Sequence, residues 1–495
     1  MTKIRRPRPA APRPAGRAAT GRRTAGRATA AALALTGLLT TAACSGSSSA
    51  PKADSPVITA EPAALSPSAG LGSPGANSPS AASGSASSKV VPLTSDVTAK
   101  LDSAIQAVMS QASIPGVTVG YTTPDGSYQK SFGVADKSAG TPMSTDLYQR
   151  IGSVTKTFTA TAVLELVDQG KVGLDDPVSK YVPNVPNGDG ITIRQLGDMR
   201  SGLYNYSDDP DFQRIFFNDP DHVFTPDQLL SYSFKHPANF APDSKFEYCN
   251  TNYVLLGLVV EKAGGQALGD YLKAQVFTPA GLTKTVFPTD ATFPDPHAHG
   301  YTDQDANGQL TDATTWNPSW GWAAGAAISN LADLTTWSKA LATGNPLLKP
   351  ATQAERLKGR STGTPGVGYG FGIFNTHGWI GHNGSLPGYQ TVAVYLPDAQ
   401  ASLVVQLNTD VQYQGSEPST LVAKAVTQIV SPNNVYTLPS AATASPSGTA
   451  SGSASTSSSG SASGSASGSA SASGSGSPSG GATATGTAPG SLRVS

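Results

Sequence analysis

The chain is 495 residues long, with 33 basic and 33 acidic side chains, 7% aromatic residues and two cysteines. Nine of the basic residues and none of the acidic ones fall in residues 1–27, so the chain without that segment carries a net charge of −9. An acidic, aromatic-poor surface gives no electrostatic footprint for nucleic acid, and two cysteines make no disulfide framework, which leaves stability to a hydrophobic core.

Along the chain, the basic segment runs into an Ala/Thr-rich apolar stretch over residues 28–43, too short for a convincing membrane span, that ends in Thr41-Ala42-Ala43-Cys44. Residues 1–43 therefore read as an export signal. The small residues before cysteine resemble the processing site of bacterial lipoproteins, which implies a lipid on Cys44. The protein is then extracytoplasmic, either secreted or anchored to the outer face of the cytoplasmic membrane. Arg22-Arg23 reads as a chance pair in an Arg-rich segment and not as a twin-arginine signal. Residues 44–89 are Ser, Pro, Ala and Gly with almost no large apolar side chain. They cannot offset their ordering entropy and read as a flexible tether with a reach of roughly 35–40 Å. Residues 437–495 are a Ser/Gly/Ala-rich tail of the same kind.

Residues 90–436 carry the folded domain. Val97, Leu101, Ile105 and Val108 recur at helical spacing and stop before Pro115-Gly116. Residues 116–122 and 128–134 flank Pro124-Asp125-Gly126 and read as a β-hairpin. Helical and loop-rich sequence fills residues 154–342. Strand patterns return at residues 389–396 and 401–407, joined by Pro397-Asp398, and a last helix covers residues 418–430. Strands at both ends with helices between them predict an α/β (α+β) fold: one antiparallel sheet built from both termini, flanked by helices, with an inserted all-helical subdomain.

Three stretches carry chemistry. In Ser153-Val154-Thr155-Lys156 the hydroxyl and the amine stand one helical turn apart on one face. A serine is a weak nucleophile until a base takes its proton, and a lysine can be that base once burial or another cation lowers its pKa. Val154, Phe158, Ala162 and Leu166 form an apolar stripe ending at Gly170, which places Ser153 at a helix N-terminus. The second stretch is Tyr248-Cys249-Asn250, just before an apolar helix over residues 253–262. A phenol held partly ionised by a lysine ammonium can pass protons, and an Asn side chain can bind an amide. His382-Asn383-Gly384-Ser385 is the third, a strand edge whose glycine lets a substrate approach the backbone. A backbone N–H there and that of Ser153 can form an oxyanion hole.

In this order the three stretches resemble the active-site serine penicillin-recognising enzymes: DD-peptidases, class C β-lactamases and related esterases. Their S-x-x-K, Y-x-N and K-T-G or H-T-G motifs match Ser153/Lys156, Tyr248/Asn250 and His382/Gly384. Arg200-Ser201-Gly202-Leu203-Tyr204 and Ser319-Trp320 leading into Ala324-Gly325-Ala326 also look like the secreted DD-carboxypeptidase branch. The resemblance implies a β-lactamase/transpeptidase-like fold, with Ser153 acylated and Lys156 and Tyr248 sharing proton transfer. It also implies that Asn250 contacts the acyl amide and that His382 supplies positive or hydrogen-bonding character. The N–H groups of Ser153 and Ser385 form the oxyanion hole, Asn383 and Gly384 face the substrate, and Trp320 lines the cleft. The substrate it implies is a D-Ala-D-Ala peptide of peptidoglycan. A small acyl ester, a D-amino-acid amide and a β-lactam stand as alternatives within the same chemistry, and a silent penicillin-binding surface module as one outside it. No cofactor or metal is called for, the protein is expected to be a monomer, and its other contact is the membrane through Cys44. Asn383 departs from the Thr or Ser usual at its position, and residues 370–375 lack the arginine that the carboxypeptidase branch places near the substrate carboxylate.

Other motifs have plainer readings. Gly359-Arg360-Ser361-Thr362-Gly363 fits a nucleophile elbow in spelling but not in context, since a helical stretch precedes it and Pro365 follows. The glycine run from Gly366 to Gly372 opens no helix and reads as a strand. His297 and His299 sit in a Pro-rich loop, Asp175-Asp176 forms a turn before Pro177, and Cys249 is a buried thiol pointing away from its neighbours.

Overall fold

Strands of the last third of the chain, buried on both faces and alternating between two apolar cores, build the sheet that organises the molecule. The computed structural model describes residues 90–438. Its main sheet has nine strands: β1 (Gly116–Thr123), β2 (Gly126–Asp136), β3 (Thr141–Pro142), β4 (Arg360–Ser361), β5 (Val367–Gly370), β6 (Ile373–Thr376), β7 (Trp379–Leu386), β8 (Tyr389–Leu396) and β9 (Ala401–Leu407). They lie in the order β3-β2-β1-β9-β8-β7-β6-β5-β4, every pair antiparallel. Val117 stands opposite Leu407, so the first hairpin and the last strands share one sheet, as the sequence predicts.

Alternation sends Val392, Val394, Leu403 and Val405 to one face, under α1 (Ser95–Gln111) and α5 (Pro418–Val430). Thr94 caps α1 by accepting the Val97 N–H, and Leu101 and Ile105 are its buried anchors. Ala393, Tyr395 and Val404 face the other way, into a core shared with α2 (Thr155–Asp168), α3 (Asn250–Gly264) and α4 (Leu331–Thr343).

One expectation gains detail and another changes. The helical insert has no separate core, because Phe212, Leu229 and Leu230 of its helices belong to the same apolar cluster as Ala393 and Val404. The cause is α2, which is more than a one-sided stripe: every residue from Thr155 to Leu164 is buried. Its threonines tolerate this by returning their hydroxyls to carbonyls, Thr157 to Val154 at 2.6 Å, Thr161 to Thr157 at 2.7 Å and Thr159 to Ala323 at 2.8 Å. The change is in the glycine run, which breaks at Phe371-Gly372 into a turn between β5 and β6. Gly372 has φ +77°, and a Cβ there would stand 2.4 Å from Ala160 Cβ, so only glycine lets this turn lie on α2.

The assigned signal over residues 1–43, Cys44, the tether over residues 44–89 and the tail beyond residue 438 lie outside the described residues. Among the described residues no helix is long and apolar enough to cross a membrane.

Candidate active site

A short antiparallel pairing fixes the approach to Ser153. Gln149 faces Ser329, Arg150 faces Ile328, and the Ile151 N–H donates to the Ala327 carbonyl at 3.1 Å. Gly152 then turns the chain with φ +51°, and a Cβ on it would stand 2.9 Å from the Ser385 nitrogen. Ser153 follows in the turn Gly152–Val154 that leads into α2, at the positive end of that helix.

Lys156 is fully buried. Its Nζ lies 2.9 Å from Ser153 Oγ, 2.7 Å from Asn250 Oδ1 and 2.8 Å from the Ala324 carbonyl. Burial holds its pKa well below the ordinary lysine value. A neutral amine has two N–H bonds and one lone pair. The amide oxygen of Asn250 and the Ala324 carbonyl can only accept, so they take the two N–H groups, and the lone pair is left for the Ser153 hydroxyl proton.

Tyr248 and Asn250 flank the start of α3. The Asn250 N–H donates to Asn205 Oδ1 at 3.0 Å and Asn250 Nδ2 to Ser207 Oγ at 3.3 Å. With Oδ1 on Lys156, this side chain positions the amine more directly than it meets a substrate. Lys156 Nζ lies 4.9 Å from the centre of the Tyr248 ring. Burial raises the Tyr248 pKa well above the ordinary phenol value, and nearby Ser153 only partly lowers it. The phenol is thus kept protonated, contrary to the partly ionised state expected from a neighbouring ammonium, because burial disfavours both charges at once. Its hydroxyl is buried and completes no hydrogen bond of normal geometry, which suits a group that meets its partner only when a substrate arrives. Cys249 points away, its Sγ donating to the Leu203 carbonyl at 3.3 Å, and burial pushes the thiol up to about 12.

Strand β7 closes the site. Gly384 faces the nucleophile turn, and a Cβ on it would stand 2.1 Å from the Ile151 carbonyl oxygen and 2.8 Å from the Ser153 nitrogen. Leu386 and Tyr389 pair across a two-residue hairpin loop, and Ser385 pairs with Gln390. In such a hairpin the pair next to the turn exchanges hydrogen bonds and the following pair does not. The Ser385 N–H and C=O therefore point to the open edge, towards Ser153. His382 is fully buried, with Nδ1 on the Asn383 carbonyl and Nε2 at 3.1 Å from the Tyr369 hydroxyl. Burial and then Lys156 lower its pKa to about 3, so the imidazole is neutral and brings no positive charge. A carbonyl only accepts, so Nδ1 carries the proton and Nε2 accepts from Tyr369. Asn383 lies on the opposite face of the strand from Gly384, and its Nδ2 donates to Glu417 Oε2 at 3.1 Å.

Ser153, Lys156, Tyr248, Asn250, His382, Gly384 and Ser385 thus converge, while the Asn383 side chain turns towards the N-terminus of α5. Trp320 is buried against Phe212 and Phe216 and lines a small cavity with Gly325 and Leu386. Sequence reasoning missed Asn205, Ser207 and Ala324 as supports of Asn250 and Lys156, and Tyr369 as the partner of His382. The first three lie beside or within the stretches around Tyr204 and Ala324-Gly325-Ala326 that stood out as resemblances. Tyr369 lay unnoticed inside the glycine run. Among the described residues no group of His, Cys, Asp and Glu is arranged to hold a metal.

Comparison with known proteins places this geometry. The family model described as Beta-lactamase matches residues 101–426. Penicillin-binding protein 4* of Bacillus subtilis is 27% identical over 58% of this chain and 67% of its own length. The D-aminopeptidase of Brucella anthropi is 29% identical over 63% of this chain, which spans 59% of that protein. Among solved structures, a D-stereospecific amidohydrolase from Streptomyces sp. is 32% identical with a TM-score of 0.59, over 63% of this chain and 94% of that one.

Proposed function

Since the chain belongs to the β-lactamase family and is a serine hydrolase, we propose that Ser153 is acylated by small D-configured amides and esters whose departing end carries no charge. The observation that carries this reading is the electrostatics of the β7 edge. His382 is neutral, the Asn383 carboxamide donates to Glu417, and residues 370–375 carry no arginine. A substrate carboxylate finds no charge-assisted donor there, a loss of about 1.5–3 kcal/mol per missing bond. The D configuration is supported by similarity to a D-aminopeptidase and a D-stereospecific amidohydrolase.

The residues then act in sequence. Lys156 takes the Ser153 proton as Oγ attacks the acyl carbonyl. The N–H groups of Ser153 and Ser385 hold the oxyanion, an interaction that strengthens as charge develops. Tyr248 gives its proton to the departing nitrogen or oxygen, and the proton on Lys156 restores the phenol. Water enters next, Lys156 takes its proton, and that proton returns to Ser153 Oγ as the acid leaves.

A D-Ala-D-Ala carboxypeptidase is the second reading, favoured by the stretches around Tyr204 and Trp320 and by similarity to penicillin-binding protein 4*. The two separate by measurement of kcat/KM for a D-aminoacyl p-nitroanilide and for an N-acyl-D-Ala-D-Ala peptide on one preparation. The anilide is expected to be the better substrate by about tenfold or more, the equivalent of one lost charge-assisted bond. A peptide turned over faster than the anilide contradicts the uncharged-end reading.

A further inference from the structure

Behind the proposed oxyanion hole lies a buried cation that forms no ion pair with an acid among the described residues. Arg150 is 2% exposed. Its Nη2 donates to the carbonyls of Ala291 at 3.4 Å, Thr314 at 3.3 Å and Trp316 at 3.3 Å, and its guanidinium carbon stands 4.8 Å from the centre of the Phe293 ring. Nε and Nη1 make no hydrogen bond. Arg150 also lines a cavity of about 10 Å³, walled by Trp316, Trp320, Gly325, Leu386 and Pro387. That is room for one particle of about the size of water. Arg356 is equally buried but differs in kind, since its Nη1 and Nη2 are taken by Leu341, Gln353 and Thr161.

We propose that this cavity is a binding site for one small monovalent anion of the chloride class, held by Nε and Nη1 of Arg150. Two unpartnered donors ask for an acceptor, and a water molecule supplies one. A water leaves the unit charge uncompensated, however, and burying an unpaired charge is costly in a way that burying an ion pair with satisfied hydrogen bonds is not. A chloride-class anion, a little larger than water, answers both needs with charge-assisted bonds. The walls tie the site to the catalytic turn. Leu386 follows Ser385, Gly325 follows Ala324, whose carbonyl holds Lys156, and a Cβ on Gly325 would stand 3.9 Å from the Gly152 carbonyl carbon. The ion therefore braces both sides of the oxyanion hole from behind. The inference is independent of which substrate Ser153 takes.

The test uses the full chain in sodium chloride and in sodium gluconate at equal ionic strength. Two quantities are read: the melting temperature, and the broadening of the chloride NMR line as chloride is titrated. A specific ion bound to the folded state is expected to raise the melting temperature by about 1–2 °C at several times its dissociation constant, with saturable line broadening. Arg150→Gln removes the donors, and Gly325→Ala places a methyl in the cavity at ordinary contact distance, which keeps the test alive if the first variant fails to fold. Loss of both chloride effects in Gly325→Ala supports the site. Equal melting temperatures with no saturable broadening in the unaltered protein mean that the cavity holds water, and effects undiminished in Gly325→Ala place the ion elsewhere. Either result overturns the proposal.

Discussion

The base role proposed for Lys156 needs an uncharged amine, and that state depends on residues far from it in sequence. Asn250 and Ala324 supply oxygens that take its two N–H groups, and complete burial withdraws the water that an ammonium needs. The direction of the shift fixes the pH dependence. The folded pKa is lowered, so the amine is ready at all pH values above it and is lost as pH falls through it. Tyr248, raised by burial, stays protonated across the same range. For an activated ester kcat/KM is expected to fall on the acid side and to reach its plateau well below the ordinary lysine value of about 10.4. A rate that keeps climbing to that value contradicts a neutral Lys156. At this scale the sequence was half legible: the spacing of Ser153 and Lys156 identified the pair and its helix. The charge states of Lys156, Tyr248 and His382 were not, because burial is set by the whole core, and the alternation that turns Asn383 away from Gly384 appeared only once the strand's facing was known.

Strand β7 and the nucleophile turn form a single device, because each needs a glycine where the other comes close. Gly384 is the sharper case, with no room for a Cβ between it and Ile151 or Ser153. Gly384→Ala is expected to push the Ser385 N–H away from Ser153 and to lower kcat/KM by about 10²–10³, the cost of one lost oxyanion donor. Unchanged activity with the fold intact would show that Ser385 holds no oxyanion. His382-Asn383-Gly384-Ser385 was readable as a strand edge, whereas the turn between β5 and β6 was not. A run of alternating glycines suits a strand and a turn alike, and contact of Gly372 with Ala160 decided between them.

For the whole molecule, alternation at both ends of residues 90–436 announced the sheet, and the helical period announced α1 and α5, so the layered architecture could be drawn before any contact was known. What periodicity hid was continuity. A helix buried on every side, such as α2, shows only its strongest stripe in sequence, so the insert looked like a unit of its own although it shares one core with the sheet. That continuity holds Ser153 between helical and sheet layers, and acyl transfer to its hydroxyl is the central claim. It is tested by incubating the full chain with an activated D-aminoacyl ester, quenching in acid and mapping the added mass by peptide mass spectrometry. The acyl group is predicted on the peptide containing Ser153, with adduct and turnover both absent in Ser153→Ala. An adduct on another side chain, or full turnover by Ser153→Ala, would contradict the account.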